Sequence, residues 1–385
     1  MGIDWDADTE VPEQTRRLAT EPRGGRRGGF ESTEAPPPPA SERIERLRAR
    51  IERQRDGPEP DQPDPELAKE VVKGAASALA KAEDPNARFT FRERTGLEAV
   101  ILTDGTRPSL TVTGGFVDLA NPEIGDWDQP FGQFGAAMKG VVAAVGRVNI
   151  PTSVGFAGTC FAVGADLVVT NRHVLEEIAR QDGNGSWTLI HPDATTIDFV
   201  AEANAESSTA TKVLSVAFAG PDPINRQINF AHLDLAVLRV DPGGGLPAAV
   251  KLESDPDAVE ESRELYLVGF PARPNTHHGE GAPRAGYESS EVMASVFKWK
   301  FGVKKLAPGR VDKAPGELAG DAKQWVFTHD ASTLGGNSGS AVVDLSIDGS
   351  RIIGLHFGGV ARKENWSHAV ARIEEFRQAV NLSWV

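Results

Sequence analysis

The sequence predicts an all-β fold, either a sandwich or a barrel, for the chain from about residue 134 onward. Short runs of β-branched residues recur there, turn-forming residues separate them, and helical stretches between them are few. After a short helix leading into a strand at 135–148, the predicted strands are Asp166–Thr170, Leu235–Val240, Glu264–Val268 and Arg351–Leu355. A terminal helix is predicted over Ser367–Val380, with Val370, Ile373 and Phe376 facing inward.

A charged leader precedes this body. Residues 1–62 contain four consecutive prolines, a cluster of glycine and arginine, and dense mixed charge. Such a composition buries too little apolar area to offset chain entropy, so we predict that the leader is disordered. Within it, Ser41–Gln54 has helical spacing. This helix is either a partner-docking element or a solvated helix, and the second interpretation is preferred.

Residues 63–133 are predicted to form an accessory segment between the leader and the main domain, which spans 134–385. The run 65–83 has the apolar spacing of a helix. The runs 97–102 and 110–113 are rich in strand-forming residues and are joined through an Asp-Gly pair, which is a strong hairpin signal. We therefore expect one helix and one hairpin, either as a small unit or laid on the main body.

Composition narrows the functional classes. The formal net charge of −14 argues against nucleic acid as a partner, because phosphate binding needs a basic surface. Cys160 is the single cysteine, so no intrachain disulfide is expected. No metal site is expected either, because neither Cys160 nor His277-His278 has partners at ligand spacing. No phosphate-binding glycine motif follows a strand, so we expect no nucleotide cofactor. No apolar run approaches the ~18 residues of a membrane span and no signal peptide is visible, so a cytoplasmic location without membrane contact is expected.

Ser338 has the sequence context of an activated hydroxyl. It lies in Gly-Gly-Asn-Ser-Gly-Ser over 335–340, before an apolar run. Glycines on both sides permit a tight turn that presents the hydroxyl and points successive N–H groups into one concavity. Acyl transfer requires such a nucleophile together with donors for the oxyanion. Ser338 is the candidate nucleophile, and the N–H groups of Gly336 and Ser338 are the candidate oxyanion hole; a plain polar turn before a strand is the alternative.

Two residues upstream of Ser338 are candidates for the base that deprotonates this hydroxyl and for the group that orients the base. His173 follows a predicted strand, and a short helix is expected after it over 176–179. Asp234 enters the apolar run Leu235–Val240, where a carboxylate is poorly placed unless it is buried against an imidazole N–H. The alternative acids lie in turn-like settings where aspartate is common: Asp222, Asp241 and Asp330.

These segments together resemble the trypsin-like serine peptidases, and more closely the bacterial branch that includes the glutamyl endopeptidases. The resemblance covers about residues 135–380, and the order His…Asp…Ser is that of chymotrypsin. The stretches that carry it are Gly158–Phe161 with Thr170–Val174, Leu233–Leu238, Gly335–Ser340 and Gly354–Gly359. It implies a serine endopeptidase acting through an acyl-enzyme, built on two packed six-stranded Greek-key β-barrels with a C-terminal helix. His173 and Asp234 would come from the first barrel and Ser338 from the second.

The resemblance also implies a preference for acidic residues before the scissile bond. Ser332 stands six positions before Ser338, where specificity for basic side chains would place an aspartate. Thr333 and His356 match the positions whose hydroxyl and imidazole bind the substrate carboxylate in glutamyl endopeptidases. As the alternative, His356 is only a packed strand residue; the remaining histidines are interpreted as structural. Glutamyl endopeptidases also use a free N-terminal amine near the pocket. In this chain, the leader is expected to keep the N-terminal amine away from that position.

Two other functions would share these residues. A catalytically inactive protease fold would only bind partners and would take up no active-site probe, whereas an acyl-ester hydrolase would turn over esters without cleaving protein. The expected partners are protein substrates and, at the leader, a protein partner or an activating protease acting at Arg26-Arg27. Cys160, at a position where the family commonly has a small residue, is interpreted as a buried small hydrophobe.

Overall fold

The structure, a computed structural model, describes residues 3–20, 38–56, 62–153, 155–205, 210–224, 228–273, 287–360, 364–380 and 382–385, with the backbone alone at 287–291 and 360. The helices are α1 (Glu13–Thr20), α2 (Ala40–Arg55), α3 (Pro65–Leu79), α4 (Phe91–Thr103), α5 (Asp128–Ala144), α6 (Arg172–Ile178), α7 (Tyr287–Phe297) and α8 (Glu374–Ala379). Short 3₁₀ segments lie at Pro122–Trp127, Pro242–Gly244 and Val370–Arg372. The strands are β1 (Asp8–Thr9), β2 (Phe89–Thr90), β3 (Leu110–Thr113), β4 (Phe116–Val117), β5 (Val145–Asn149), β6 (Phe156–Ala162), β7 (Leu167–Thr170), β8 (Ala179–Gln181), β9 (Trp187–Leu189), β10 (Thr196–Asp198), β11 (Ala210–Ala219), β12 (Ala236–Val240), β13 (Lys251–Leu252), β14 (Glu264–Gly269), β15 (Lys305–Lys313), β16 (Val326–His329), β17 (Ala341–Asp344), β18 (Arg351–Val360) and β19 (Glu364–Ala369).

Six strands form a closed antiparallel barrel in the order β10-β11-β12-β7-β6-β5. Its apolar side chains have no exposed area at positions such as Phe161, Val168 and Leu238, which is the burial that β-branched and aromatic strand residues favour. The register of β7 against β12 places Thr170 opposite Ala236. The chain that leaves β7 therefore lies beside the chain that enters β12.

Six further strands close a second barrel in the order β14-β17-β18-β19-β16-β15, through the pairing of β14 with β15. β3 and β4 extend this sheet beyond β15, and β13 pairs with β18 in parallel. The predicted strands of the main domain are all present, the last of them extending to Val360. The predicted architecture of two closed six-stranded β-barrels is confirmed.

The accessory segment is more helical than predicted. The helix expected at 65–83 is α3, which ends at Leu79. The predicted strand at 97–102 is wrong, because these residues lie in α4, which begins with a capping box between Thr90 and Glu93. α4 is buried on nearly all sides, and periodicity does not distinguish a fully buried helix from a buried strand. The strand expected at 110–113 is β3, which pairs with β4 and β15 instead of with an upstream strand.

The prediction of a disordered leader is wrong for residues 3–20 and 38–56, which contain α1 and α2. On α2, Leu47 has no exposed area and shares a core with α3, α4 and α7. Arg43 is 2% exposed and binds Asp104 at 2.7 Å. The preferred interpretation of α2 as a solvated helix is therefore also wrong, because elements from distant parts of the chain cover its apolar face. Outside the described residues lie the leader positions 1–2, 21–37 and 57–61, with Arg26 and Arg27 among them.

The C-terminal helix is shorter than predicted. Ser367 and its two successors complete β19, where they pair with β16 and β18, and the helix α8 begins only at Glu374. Val370, Ile373 and Phe376 have no exposed area, as expected. Among the described helices, none combines the length and the apolar character that a bilayer span requires.

Candidate active site

His173 lies in the first turn of α6, directly after β7. The Asn171 side-chain amide, just before the helix, donates to the Asp234 carbonyl oxygen at 2.8 Å. Because β7 and β12 are paired, this hydrogen bond ties together the two loops at the ends of adjacent strands. The His173 side chain is 29% exposed, so the ring is held within the barrel surface and remains partly open.

Asp234 binds His173 twice. Its Oδ2 is 2.6 Å from His173 Nδ1, and its Oδ1 accepts the His173 backbone N–H at 2.9 Å. The carboxylate favours the tautomer in which Nδ1 carries the proton, which leaves Nε2 free to accept one. From the second barrel, His368 Nε2 accepts the Asp234 backbone N–H at 3.1 Å. Both barrels therefore hold Asp234 in place.

The electrostatic environment distinguishes the partly exposed His173 from three buried histidines. Burial lowers the pKa of His173, but the charge and hydrogen bond of Asp234, assisted by two nearby glutamates, outweigh burial and raise this pKa above its usual value. Burial lowers the pKa of His329 and of His368 to about 4. Burial and neighbouring histidines hold the pKa of His356 well below its usual value. Among these four rings, His173 is the one suited to exchange a proton near neutral pH.

The turn that carries Ser338 is docked on β6 of the first barrel. Thr159 donates its backbone N–H to the Ser338 carbonyl and its hydroxyl to the Gly336 carbonyl, each at 2.8 Å. Gly336 and Gly339 have φ values of 88° and 89°, and residues other than glycine rarely adopt this region. A Cβ on Gly339 would lie 1.9 Å from the Thr159 carbonyl oxygen. The glycines therefore permit both the turn and its close approach to β6.

The candidate oxyanion donors lie in this turn. Within the part of the chain that the structure describes, the backbone N–H groups of Gly336 and Ser338 donate no hydrogen bond to the protein. No hydrogen bond joins the Ser338 hydroxyl to His173. The structure thus brings His173 and Asp234 into direct contact and places Ser338 on a turn anchored to the same barrel.

The predicted specificity residues are all engaged with protein groups. The Ser332 hydroxyl donates to the Arg107 carbonyl oxygen at 2.7 Å, and the Thr333 hydroxyl is 2.5 Å from Asn365 Oδ1. His356 is 3% exposed, and its Nδ1 is 3.2 Å from His329 Nε2. A substrate carboxylate that uses these donors must therefore replace contacts within the protein.

Two residues that organise the site were not identified from the sequence. In the sequence, Thr159 stands out only as a member of a motif stretch. Its neighbour Cys160 is buried, as expected, and burial raises the pKa of the Cys160 thiol. His368 was interpreted as structural, and its partner Asp234 lies 134 positions away, so no local pattern could reveal the contact. Within the described residues, no group of three or more His, Cys, Asp or Glu side chains could hold a metal ion.

This chain is similar to known proteins in sequence and, more weakly, in structure. The family model described as a trypsin-like peptidase domain matches residues 158–355. A probable serine protease of Lysobacter enzymogenes is 32% identical over 321 residues, which are 78% of this chain and 79% of that protein. A glutamyl endopeptidase of Staphylococcus epidermidis is 27% identical over 234 residues, or 60% of this chain and 64% of that protein. Among solved structures, the inactive form of the protease Rv3671c from M. tuberculosis H37Rv is similar with a TM-score of 0.35 and 16% identity, over 63% of this chain and 91% of that chain.

The family match and the first of these relatives carry the assignment. The matched segment contains His173, Asp234 and Ser338. The relative from Lysobacter enzymogenes extends the similarity over more than three quarters of each chain. This chain therefore belongs to the trypsin-like peptidase family and is a serine protease.

Proposed function

We propose that His173, Asp234 and Ser338 form the catalytic triad of this protease. The observation that carries the proposal is the double contact between Asp234 and His173, at 2.6 and 2.9 Å. The turn that bears Ser338 is bound to the same barrel through Thr159. An oriented base and a nucleophile on neighbouring elements are what acyl transfer to a serine requires.

The proposed reaction has two halves. In acylation, Ser338 Oγ attacks the carbonyl carbon of the peptide bond while His173 Nε2 takes the hydroxyl proton. The N–H groups of Gly336 and Ser338 bind the oxyanion of the tetrahedral intermediate. His173 then gives the proton to the leaving amine as the C–N bond breaks. In deacylation, His173 takes a proton from a water molecule, which attacks the carbonyl carbon of the ester. As the bond between that carbon and Ser338 Oγ breaks, His173 returns the proton to Oγ and the acid is released, while Asp234 stabilises the imidazolium in both halves.

We further propose that the protease cleaves after acidic residues, glutamate before aspartate. Ser332 carries no charge that could bind a guanidinium, and the Thr333 hydroxyl is a donor that a substrate carboxylate can take over from Asn365. His356 would contribute as a neutral ring, because its pKa is held well below its usual value. One relative bears the name glutamyl endopeptidase, which supports the same substrate class.

A peptide-library cleavage profile tests the specificity. We expect cleavage after glutamate to dominate, and Thr333→Val to lower kcat/KM for glutamyl peptides by about tenfold to a hundredfold, since a hydrogen bond to a charged group contributes ~1.5–3 kcal/mol. Thr188→Val on β9, at an exposed position, is the matched control and should leave the profile unchanged. Dominant cleavage after arginine, phenylalanine or leucine would end the acidic-pocket proposal.

The catalytic assignment is tested separately with a phosphonofluoridate probe. Wild-type protein should be labelled at Ser338 in a one-to-one ratio, and Ser338→Ala should take up no label. An unlabelled wild-type protein would favour an inactive fold that only binds partners. Ester turnover without cleavage of any protein would instead favour an acyl-ester hydrolase.

A further inference from the structure

Asp330 stands at the start of the segment that leads through Ser332 to Ser338, and the accessory segment holds it. Arg107, in the linker between α4 and β3, donates to both carboxylate oxygens of Asp330, from Nε at 2.6 Å and from Nη2 at 2.5 Å. Each of the two residues is 7% exposed. This is the forked arrangement in which a guanidinium binds a carboxylate with the highest geometric specificity.

Arg107 also binds a second point of the same segment. Its backbone carbonyl accepts the Ser332 hydroxyl at 2.7 Å. Between the two attachment points, Ala331 packs so closely on Gly309 of β15 that a Cβ on that glycine would lie 2.6 Å from the Ala331 nitrogen. The segment is therefore held by β15 and by Arg107, and on a third side by Asn365 of β19, whose amide donates to the Ala331 carbonyl oxygen at 2.9 Å.

We propose that Arg107 is a positioning residue for the active-site loop. By holding Asp330 and Ser332, it keeps the specificity segment and the Ser338 turn in the arrangement that binds substrate. The inference rests on the proposed roles of Ser332 and Ser338. It gives the accessory segment a part in substrate binding as well as in stability.

The burial of Asp330 explains why a partner is needed. Burial disfavours the charged carboxylate, but Arg107, together with the Arg310 backbone N–H at 2.7 Å and the charge of Arg17, outweighs burial and holds the pKa of Asp330 below its usual value. The Arg17 side chain is 32% exposed, and its contact with Asp330 is 3.8 Å long. Arg17 therefore does not substitute for the two short hydrogen bonds from Arg107. Without Arg107, the segment would have a lower free energy with the Asp330 carboxylate exposed to water than with it buried and unpaired.

The surroundings leave room for such a movement. A cavity of about 80 Å³ lies beside the segment, lined by Asp330, Ser332 and Asn337 and by Gln14 of α1. A single water needs only ~10–15 Å³, so this face of the loop is less tightly packed than the face that docks on β6. A second arrangement of the segment is thus sterically accessible once the ion pair is lost.

The proposal has a kinetic signature. In Arg107→Gln, the binding-competent arrangement becomes a minority, so the apparent KM rises by the inverse of its populated fraction. Bound substrate selects that arrangement, so kcat at saturation is largely retained. We expect KM for a glutamyl peptide to rise about 100-fold, which corresponds to a binding-competent fraction of about 1%, and kcat to change by less than about threefold.

The matched control is Arg94→Gln. Arg94 is also an accessory arginine, 4% exposed, and it binds Glu98 within α4 at 3.1 Å and the Glu10 carbonyl at 3.3 Å. The control removes the same charge from the same part of the fold, so it reports destabilisation alone and should leave KM within about twofold of wild type. Arg107→Lys keeps the charge but loses the fork, and it should give an intermediate KM.

Steady-state kinetics of the full chain measures KM and kcat for each variant. Thermal unfolding checks that the variant is folded, and titration with the phosphonofluoridate probe counts its active sites. A rise in KM confined to the Arg107 variants supports the proposal. An unchanged KM in both Arg107 variants, or an equal rise in Arg94→Gln, overturns it.

If Arg107→Gln does not fold, Arg107→Lys and Asp330→Asn decide, because Asp330→Asn removes the carboxylate that the Arg107 guanidinium holds and so breaks the same attachment from the other side. A raised KM in both supports the proposal, and a wild-type KM in both overturns it. Ser338→Ala separates this inference from the proposed function. If it abolishes activity while the Arg107 and Asp330 variants keep wild-type KM, only the positioning role fails.

Discussion

The loop that carries Ser338 is held by different forces on its two faces. Toward the first barrel the contacts are neutral and steric: Thr159 donates to two carbonyls of the turn, and Gly339 fits where no Cβ could. Toward the accessory segment the contact is ionic, between Arg107 and Asp330, and a cavity lies beside it. Close fit therefore holds the turn that bears Ser338, whereas a buried charge pair with a distant part of the chain holds the segment that begins at Asp330.

The largest effects are expected on the face toward the first barrel, where the proposed triad lies. Ser338→Ala and His173→Ala should each lower kcat by on the order of 10⁶, and Asp234→Asn by about 10⁴, because triad members act as a unit. Peptide hydrolysis measures the loss, with circular dichroism to confirm the fold. If Ser338→Ala kept a tenth of wild-type turnover, the nucleophile assignment would be wrong.

Gly339→Ala tests the steric contact directly. The added Cβ would lie 1.9 Å from the Thr159 carbonyl oxygen at a φ of 89°, so the turn must shift and kcat/KM should fall at least about 100-fold. Gly245→Ala is the matched control, because Gly245 has a φ of 79° with no atom within 4 Å of the added group. It carries the backbone strain without the collision and should keep nearly full activity. Equal losses in the two variants would contradict the close-fit interpretation.

The pH profile tests the contact between Asp234 and His173 on the same face of the loop. Asp234 raises the pKa of His173 above its usual value, so kcat/KM should fall about tenfold per pH unit below that raised pKa and be constant above it, where the imidazole is neutral. In Asp234→Asn the midpoint should move to lower pH, because the charge that stabilises the imidazolium is gone. Glu177→Gln removes a weaker contribution and should move it less. A rate that is flat from about pH 5 to 9 would exclude a histidine base.

The smallest effect on catalysis is expected in the core that α2 shares with α3, α4 and α7. Leu47→Ala removes a side chain with no exposed area and should lower the free energy of unfolding by about 2–5 kcal/mol, with kcat of the folded protein nearly unchanged. Leu214→Ala, at a position that is 52% exposed, is the matched control and should change stability by less than about 0.5 kcal/mol. Denaturant unfolding measures both variants. A Leu47→Ala protein of wild-type stability would show that the helices before α5 pack more loosely than the structure indicates.

Local sequence predicts the strands around the site because short β-branched runs bounded by turn residues have few alternatives. It fails for α4, which is buried on nearly every side and so lacks the apolar period of a half-exposed helix. It also fails for α2, whose composition is that of a solvated segment but whose Leu47 is covered by helices that include α7, far along the chain. In both cases tertiary contacts overrode local preference.

By itself, the sequence determined the chemical types at the site and the backbone freedom around them. The glycines that flank Ser338 permit its turn, and the positions of His173 and Asp234 next to strands follow from local pattern. Only the tertiary structure decided which distant residues meet: His368 with Asp234 across 134 positions, and Arg107 with Asp330 across 223. The physical reason is that a local pattern encodes conformational preference, whereas the partners of a buried polar group depend on which elements packing brings together.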